Sequence, residues 1–287
     1  MTAAPTARGI RLAGIAVHPV KSTATRPVRH AEVEPWGLEG DRRWMVVGAD
    51  AECLTAREDS TLLTLTADTP ATDPTLQHPL CLRAPGRELL EVALPDADAV
   101  PVTVHGRPLS GRPASRHANA WLRDALGRDD VTLVHVADPR PLNPQHARPG
   151  EATAFADAYP VTLASAVSLR RLHAWVDETA LDRGEEPRPP LAMERFRPNL
   201  VVDGDLEPFE EDTWRRVRVG PVTFRVVKPV DRCVFTTIDP TTRERGHEPI
   251  RTLARHRRWD GATWFAVQLV PEVRGTIRDG DAVSPDR

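Results

Sequence analysis

Of the 287 residues in this chain, 28 are proline. Proline lacks the N–H a helix interior needs and fixes its own φ, so long helices are excluded over most of the length. Between the prolines the apolar residues alternate. RLAGIAVHPV (11–20), VRHAEV (28–33), RWMVV (43–47), TLLTLTA (61–67), LCLRA (80–84), ELLEVAL (88–94) and AVPVTVHG (99–106) are predicted short strands, bounded by Gly, Pro and Asp. That punctuation suits a β-barrel or sandwich. In the second half, FRPNLVVDG (196–204), WRRVRVG with PVTFRVV across Gly220–Pro221, VFTTI (234–238), WFAVQLV and GTIRDGDAV extend the pattern. The strand through VTFRVV is expected to stop at Pro229. Ser115 and Gly127 bracket a predicted helix, Ser165 opens a second over AVSLRRLHAWVDETA, and a short third follows Pro249. Residues 138–154 and 181–194, rich in proline and polar groups, are expected to be loops.

A chain of this length holds one large domain or two ordinary ones. Its net charge of −3, with both signs intermingled, gives no footprint for nucleic acid. The N-terminus lacks a signal-type apolar run and no stretch reaches membrane-spanning length, so a cytoplasmic protein with no membrane partner is expected. Cys53, Cys81 and Cys233 are far apart and form no CxxC pair, which excludes a four-thiolate metal site within one chain. HExxH, GxSxG, GxxxxGK[ST] and GxGxxG are all absent.

Several segments carry chemistry. Cys233 lies in KPVDRCVFTTIDP (228–240), where a neighbouring Arg232 would favour the thiolate, the form that attacks electrophiles or binds soft metals. Packing residue, redox thiol and metal ligand are all open readings of that position, whereas Cys53 and Cys81 read as packing. HPVKS (18–22) pairs Lys21 with Ser22, an anion-binding combination. GLEGDRRW (37–44) places Arg42 and Arg43 before an apolar strand, where alternation lets only one face inward. FRPN (196–199) offers Arg197 and Asn199 on one face if extended. Lysine occurs twice in the whole chain, and both residues, Lys21 and Lys228, fall in these segments.

Taken in order, HPVKS, GLEGDRRWMVV, LTARE, RFRPNLVVDG, PFEEDTW, VRVG and VDRCVFTTIDP resemble the MOSC-domain proteins that carry an N-terminal MOSC β-barrel, the group of the amidoxime-reducing components. The match runs from about residue 10 to residue 283. It implies a β-rich α+β fold, with an N-terminal MOSC β-barrel domain over 1–130 and a MOSC β-barrel domain with a few peripheral helices over 131–287. The first strand and residues 18–22 are expected to pack on the second unit. It further implies a molybdenum cofactor (Mo-molybdopterin), with Cys233 as metal ligand and catalytic residue and with Lys21, Ser22, Arg42, Arg197, Asn199, Asp231 and Arg232 on the cofactor. Asp231 departs from the serine common in relatives. Ala158 and Tyr159 stand where relatives have small hydroxyl residues, and Tyr159 is expected to border the substrate entrance. The implied reaction is two-electron reduction of small N-hydroxylated compounds, fed by a separate soluble flavoprotein or ferredoxin. Rival readings are a cofactor carrier or storage protein without turnover, and a persulfide-carrying MOSC protein. Pyridoxal phosphate is disfavoured, because Lys21 is better used on the pterin phosphate.

Overall fold

The computed structural model describes residues 9–186 and 189–287. Short strands dominate, with three α-helices at Arg116–Leu126, Ala166–Asp182 and Ile250–His256 among the described residues, so the fold is β-rich α+β. The first two helix starts are those the caps dictate. Ser115 accepts from the Ala118 N–H, Ser165 accepts from Val167 and Ser168, and Gly127 closes the first helix in the left-handed region.

The largest sheet runs Arg26–Val28, Arg11–Val17, Leu200–Asp203, Val161–Ser165, Ala262–Val273, Val222–Asp231, Arg216–Val219, Val283–Asp286. Its one parallel pair, Val161–Ser165 with Leu200–Asp203, is joined through the Ala166–Asp182 helix. Strand Arg11–Val17 lies antiparallel to Leu200–Asp203, and His30–Glu34 pairs with Gly275–Arg278. The start of the chain is thus woven into the C-terminal unit. A second sheet, Trp44–Val47, Thr132–Val136, Arg107–Pro113, Val100–Val104, builds the N-terminal unit. Thr132–Val136 pairs with Trp44–Val47, so this sheet extends to residue 136.

Four expected strands are built differently. TLLTLTA opens as a 3-10 helix, Ser60–Thr64, because Asp59 accepts from the Thr61 N–H and buries Leu62 and Leu63; only Thr66–Asp68 remains a strand. VFTTI is a 3-10 turn over Val234–Thr237. The Thr236 hydroxyl donates to the Cys233 carbonyl at 3.0 Å and Thr237 donates to Val234 at 2.7 Å, competing with any ladder. In FRPNLVVDG a 3-10 turn, Met193–Phe196, precedes the strand Leu200–Asp203. The strand expected to end at Pro229 continues to Asp231, its register shifting on both sides of the proline.

Asn199 pins these layers. Its side-chain oxygen accepts from the Thr162 N–H at 3.1 Å and from Arg42 Nη1 at 3.3 Å, while its amide donates to the Ala16 carbonyl at 3.1 Å. The residue is buried, so losing it strands backbone groups from two strands. Asn199→Ala should lower unfolding stability by about 2–4 kcal/mol in denaturant titration. An unchanged midpoint would show that the pin is dispensable.

Candidate functional site

Four segments far apart in the chain meet at one cleft of about 230 Å³. Lys21, Ser22, Arg42, Arg197, Asp231, Arg232 and Cys233 all line it, and Asn199 does not. Asn199 lies behind the wall with both ends of its amide spent on the Ala16, Thr162 and Arg42 contacts. Its position follows from Arg197, which adopts φ 48° at the end of the Met193–Phe196 turn, so the two residues do not share an extended face.

The HPVKS loop is zipped to GDRRW by backbone bonds. Lys21 N–H donates to Trp44 O at 2.9 Å, Trp44 N–H to Pro19 O at 3.1 Å and Arg42 N–H to His18 O at 2.8 Å. Asp41, buried beneath, accepts from the His18 N–H at 2.8 Å and from Arg42 Nη1. Burial opposes ionisation of Asp41, but the Arg42 guanidinium and the His18 contacts outweigh it and hold the carboxyl well below the usual range. Burial, reinforced by the Arg197 and Arg42 charges, pulls His18 down to about 3 and keeps its ring neutral. Arg42 therefore points into the cleft, while Arg43 turns away, stacked 3.6 Å over the Trp36 ring and paired with Glu34.

Seven cationic side chains and two carboxylates line the cleft, in a chain that is net negative. Both lysines are among them. Burial, followed by the Arg42 charge, pulls Arg197 down to about 9, and burial does the same to Arg232. Both remain charged at neutral pH. Arg197 Nη1 donates to Thr23 O at 2.6 Å and Arg232 Nη1 to Phe196 O at 3.0 Å, yet the buried Nη2 of each has no partner. Two orphaned guanidinium edges in a desolvated, positive cleft call for an oxyanion. Ser22, Arg42 and Arg197 also share a left-handed backbone, with φ of 68°, 51° and 48°, and this clusters strain at the same wall.

Cys233 caps the Val234–Thr237 turn and is exposed, unlike Cys53 and Cys81. Burial pushes the Cys53 thiol up to about 12 and Cys81 upward as well, in keeping with packing roles. Two guanidinium groups act on the Cys233 sulfur, Arg232 through its charge and Arg57 by contact. Arg232 is drawn inward to the Phe265 and Phe196 carbonyls, and the guanidinium at the sulfur is Arg57, with Nη1 3.8 Å from Sγ. Arg57 comes from the N-terminal unit, held by Thr55 at 3.2 Å and by the His105 ring at 3.0 Å. Lys21 donates to Phe155 O at 2.8 Å and to Asp157, which also meets His105 at 3.0 Å. Arg57, Arg195, Asp157 and Gln268 on the cleft lining were missed from sequence, since only folding brings them near Cys233; LTARE, which carries Arg57, was the available signal. Tyr159 and Ala158 line the cleft.

Residues 9–129 match the MOSC N-terminal beta barrel domain and residues 150–284 match the MOSC domain. The chain belongs to the MOSC family with an N-terminal MOSC barrel. It is 31% identical to mitochondrial amidoxime-reducing component 1 of Danio rerio, over 85% of this chain and 74% of that one. It is 30% identical to component 2 of Rattus norvegicus, over 93% and 80%. A molybdenum cofactor sulfurase of Anopheles gambiae is 26% identical over 90% of this chain but only 34% of its own length. No helix among the described residues is long and apolar enough to cross a membrane.

Two outcomes are expected of this cleft. In the native, cofactor-free protein one thiol in three should react promptly with a disulfide reagent, and Cys233→Ser should remove that reaction; two fast thiols would contradict the burial of Cys53 and Cys81. Inorganic phosphate at tenfold excess over its Kd should raise Tm by about 3 °C, and less in Arg197→Gln. Equal shifts in both proteins would remove Arg197 from anion binding.

Proposed function

We propose that this MOSC protein binds a molybdenum cofactor in the cleft and reduces small N-hydroxylated compounds such as amidoximes, hydroxylamines and N-hydroxylated bases. The observation that carries this reading is an exposed Cys233 thiol on the wall of a cationic cleft that contains two orphaned guanidinium edges. The donor set fits the group. A thiolate suits a soft metal, and arginines with a lysine and a serine suit a phosphate and a heterocycle. The amidoxime-reducing activity in the names of the relatives supports the reaction class.

When bound, the cofactor supplies a two-electron redox centre at which an N–O bond is cleaved. The chain's own residues have separate tasks. Lys21, Ser22, Arg42 and Arg197 grip the phosphate end, and Arg232 backs the wall through its carbonyl contacts. Cys233 supplies the sulfur ligand, beside the Arg57 charge. Asp157 and His105, joined at 3.0 Å, stand beside Arg57 and fix its place at the cleft. Electrons come from a separate flavoprotein or ferredoxin. A carrier or storage protein would use the same grip without turnover.

Protein purified from a molybdenum-replete host should hold about one molybdenum per chain by elemental analysis, and reduce benzamidoxime with an artificial one-electron donor. Cys233→Ser should lose the metal or the turnover. Wild-type protein free of molybdenum and pterin, from a host that loads another molybdoenzyme, would overturn the reading. Full loading without turnover would favour the carrier.

A further inference from the structure

The floor of the cleft carries a polar row that the phosphate grip does not use. Thr162, Gln268 and Lys228 lie side by side on three neighbouring strands, Thr162 across from Gln268 and Gln268 across from Lys228, and all three line the cleft. Directly opposed residues of an antiparallel pair project to one side, within about 5 Å at Cβ. Lys228 owes its place to a bulge. Val226 pairs with Leu269 and Lys228 with Gln268, so Val227 is left over and the lysine, not the valine, faces Gln268. The half-buried Lys228 makes no hydrogen bond or ion pair among the described residues; the Trp264 ring, 5.8 Å from its Nζ, is at the limit of a cation–π contact. Neither carboxylate of the cleft neutralises it, since Asp157 is engaged by Lys21 and His105, and Asp231 forms no ion pair among the described residues. Gln268 is only 7% exposed, and its buried Oε1 has no partner. The Arg42 and Arg197 grip stands against the strand Leu200–Asp203. Lys228 lies three strand spacings from there, about 14 Å along the sheet. A phosphate on the Arg197 side therefore leaves the Lys228 side free.

We propose that Lys228 and Gln268 form a carboxylate-binding subsite for the substrate, so that compounds bearing a carboxylate are turned over in preference to their uncharged analogues. This rests on the reductase reading above. A half-buried ammonium without a counter-charge is stabilised by an anion that the ligand brings. In the occupied site the Thr162 hydroxyl donates to the Gln268 amide oxygen, which turns the amide NH2 toward the cleft. That NH2 and the Lys228 ammonium each donate to one carboxylate oxygen. Two donors side by side match the two oxygens of a carboxylate, whereas the tetrahedral phosphate has the guanidinium wall on the other side. The carboxylate is present in substrate and product alike, so the contact is one of uniform binding. Its loss raises KM more than it lowers kcat.

The test uses protein as purified from a molybdenum-replete host, with benzoate and benzamide as binding probes and 4-carboxybenzamidoxime and benzamidoxime as substrates. Calorimetry should show benzoate bound more tightly than benzamide, and its binding weakened about tenfold in Lys228→Met, the size of one charge-assisted hydrogen bond. Lys228→Arg should keep most of the affinity, and Gln268→Leu should lose part of it. Molybdenum per chain should be the same in wild type and Lys228→Met. In turnover, the carboxybenzamidoxime-to-benzamidoxime ratio of kcat/KM should fall about tenfold in Lys228→Met, through KM. Benzoate affinity equal in wild type and Lys228→Met, or a preserved substrate ratio, overturns the subsite. Molybdenum lost from Lys228→Met overturns it as well, because the lysine then belongs to the cofactor grip. Wild type that binds benzoate through Lys228 but reduces neither compound overturns the reductase reading and leaves the anion subsite standing.

Discussion

The Asp41 carboxylate is the interaction on which the cleft depends. It is buried, accepts from both the backbone and the ring of His18, and holds Arg42 by an ion pair. Arg42 in turn reaches Asn199 and the Arg197 carbonyl. Without a fixed negative charge at this depth, two guanidiniums could not be desolvated side by side, because burial and mutual repulsion would act together. With it, the loops HPVKS, GDRRW and FRPN close against one another. The positive wall is therefore a consequence of one acid beneath it.

Much of this was legible in the sequence, for local reasons. Period-two alternation located the strands of both sheets, and Ser115, Gly127 and Ser165 located two helices, because caps and pleats are set by near neighbours. The errors were also local. Asp59 and the Thr236–Thr237 pair turned expected strands into 3-10 turns through side-chain bonds to nearby backbone, which an apolar pattern does not register. At Pro229 the ladder tolerates the missing N–H by slipping register. The candidate site was found as an ordered set of segments, since strand-end cations and a cysteine are readable singly. The roles of Arg57 and Asp157 were not readable, although LTARE flagged the segment of the first, because their closeness to Cys233 and Lys21 arises from folding that joins distant parts of the chain.

Strand pairing also explains the site's location. Arg11–Val17 and His30–Glu34 belong to the C-terminal sheets, so the chain leaves this body at Trp44, builds the N-terminal unit and returns. The cleft forms where it leaves and returns, and each unit lends it side chains: Arg57 and Thr55 from one, Arg197 and the Arg232–Cys233 corner from the other. Neither unit encloses the cleft alone, a common arrangement for a small-molecule site.

The left-handed residues of the cleft bear on where its wall comes from. Ser22, Arg42 and Arg197 hold backbone conformations that short peptides of those residues avoid. Only the finished tertiary structure can enforce all three at once. The cleft wall is therefore a property of the folded chain and not of its three loops taken singly.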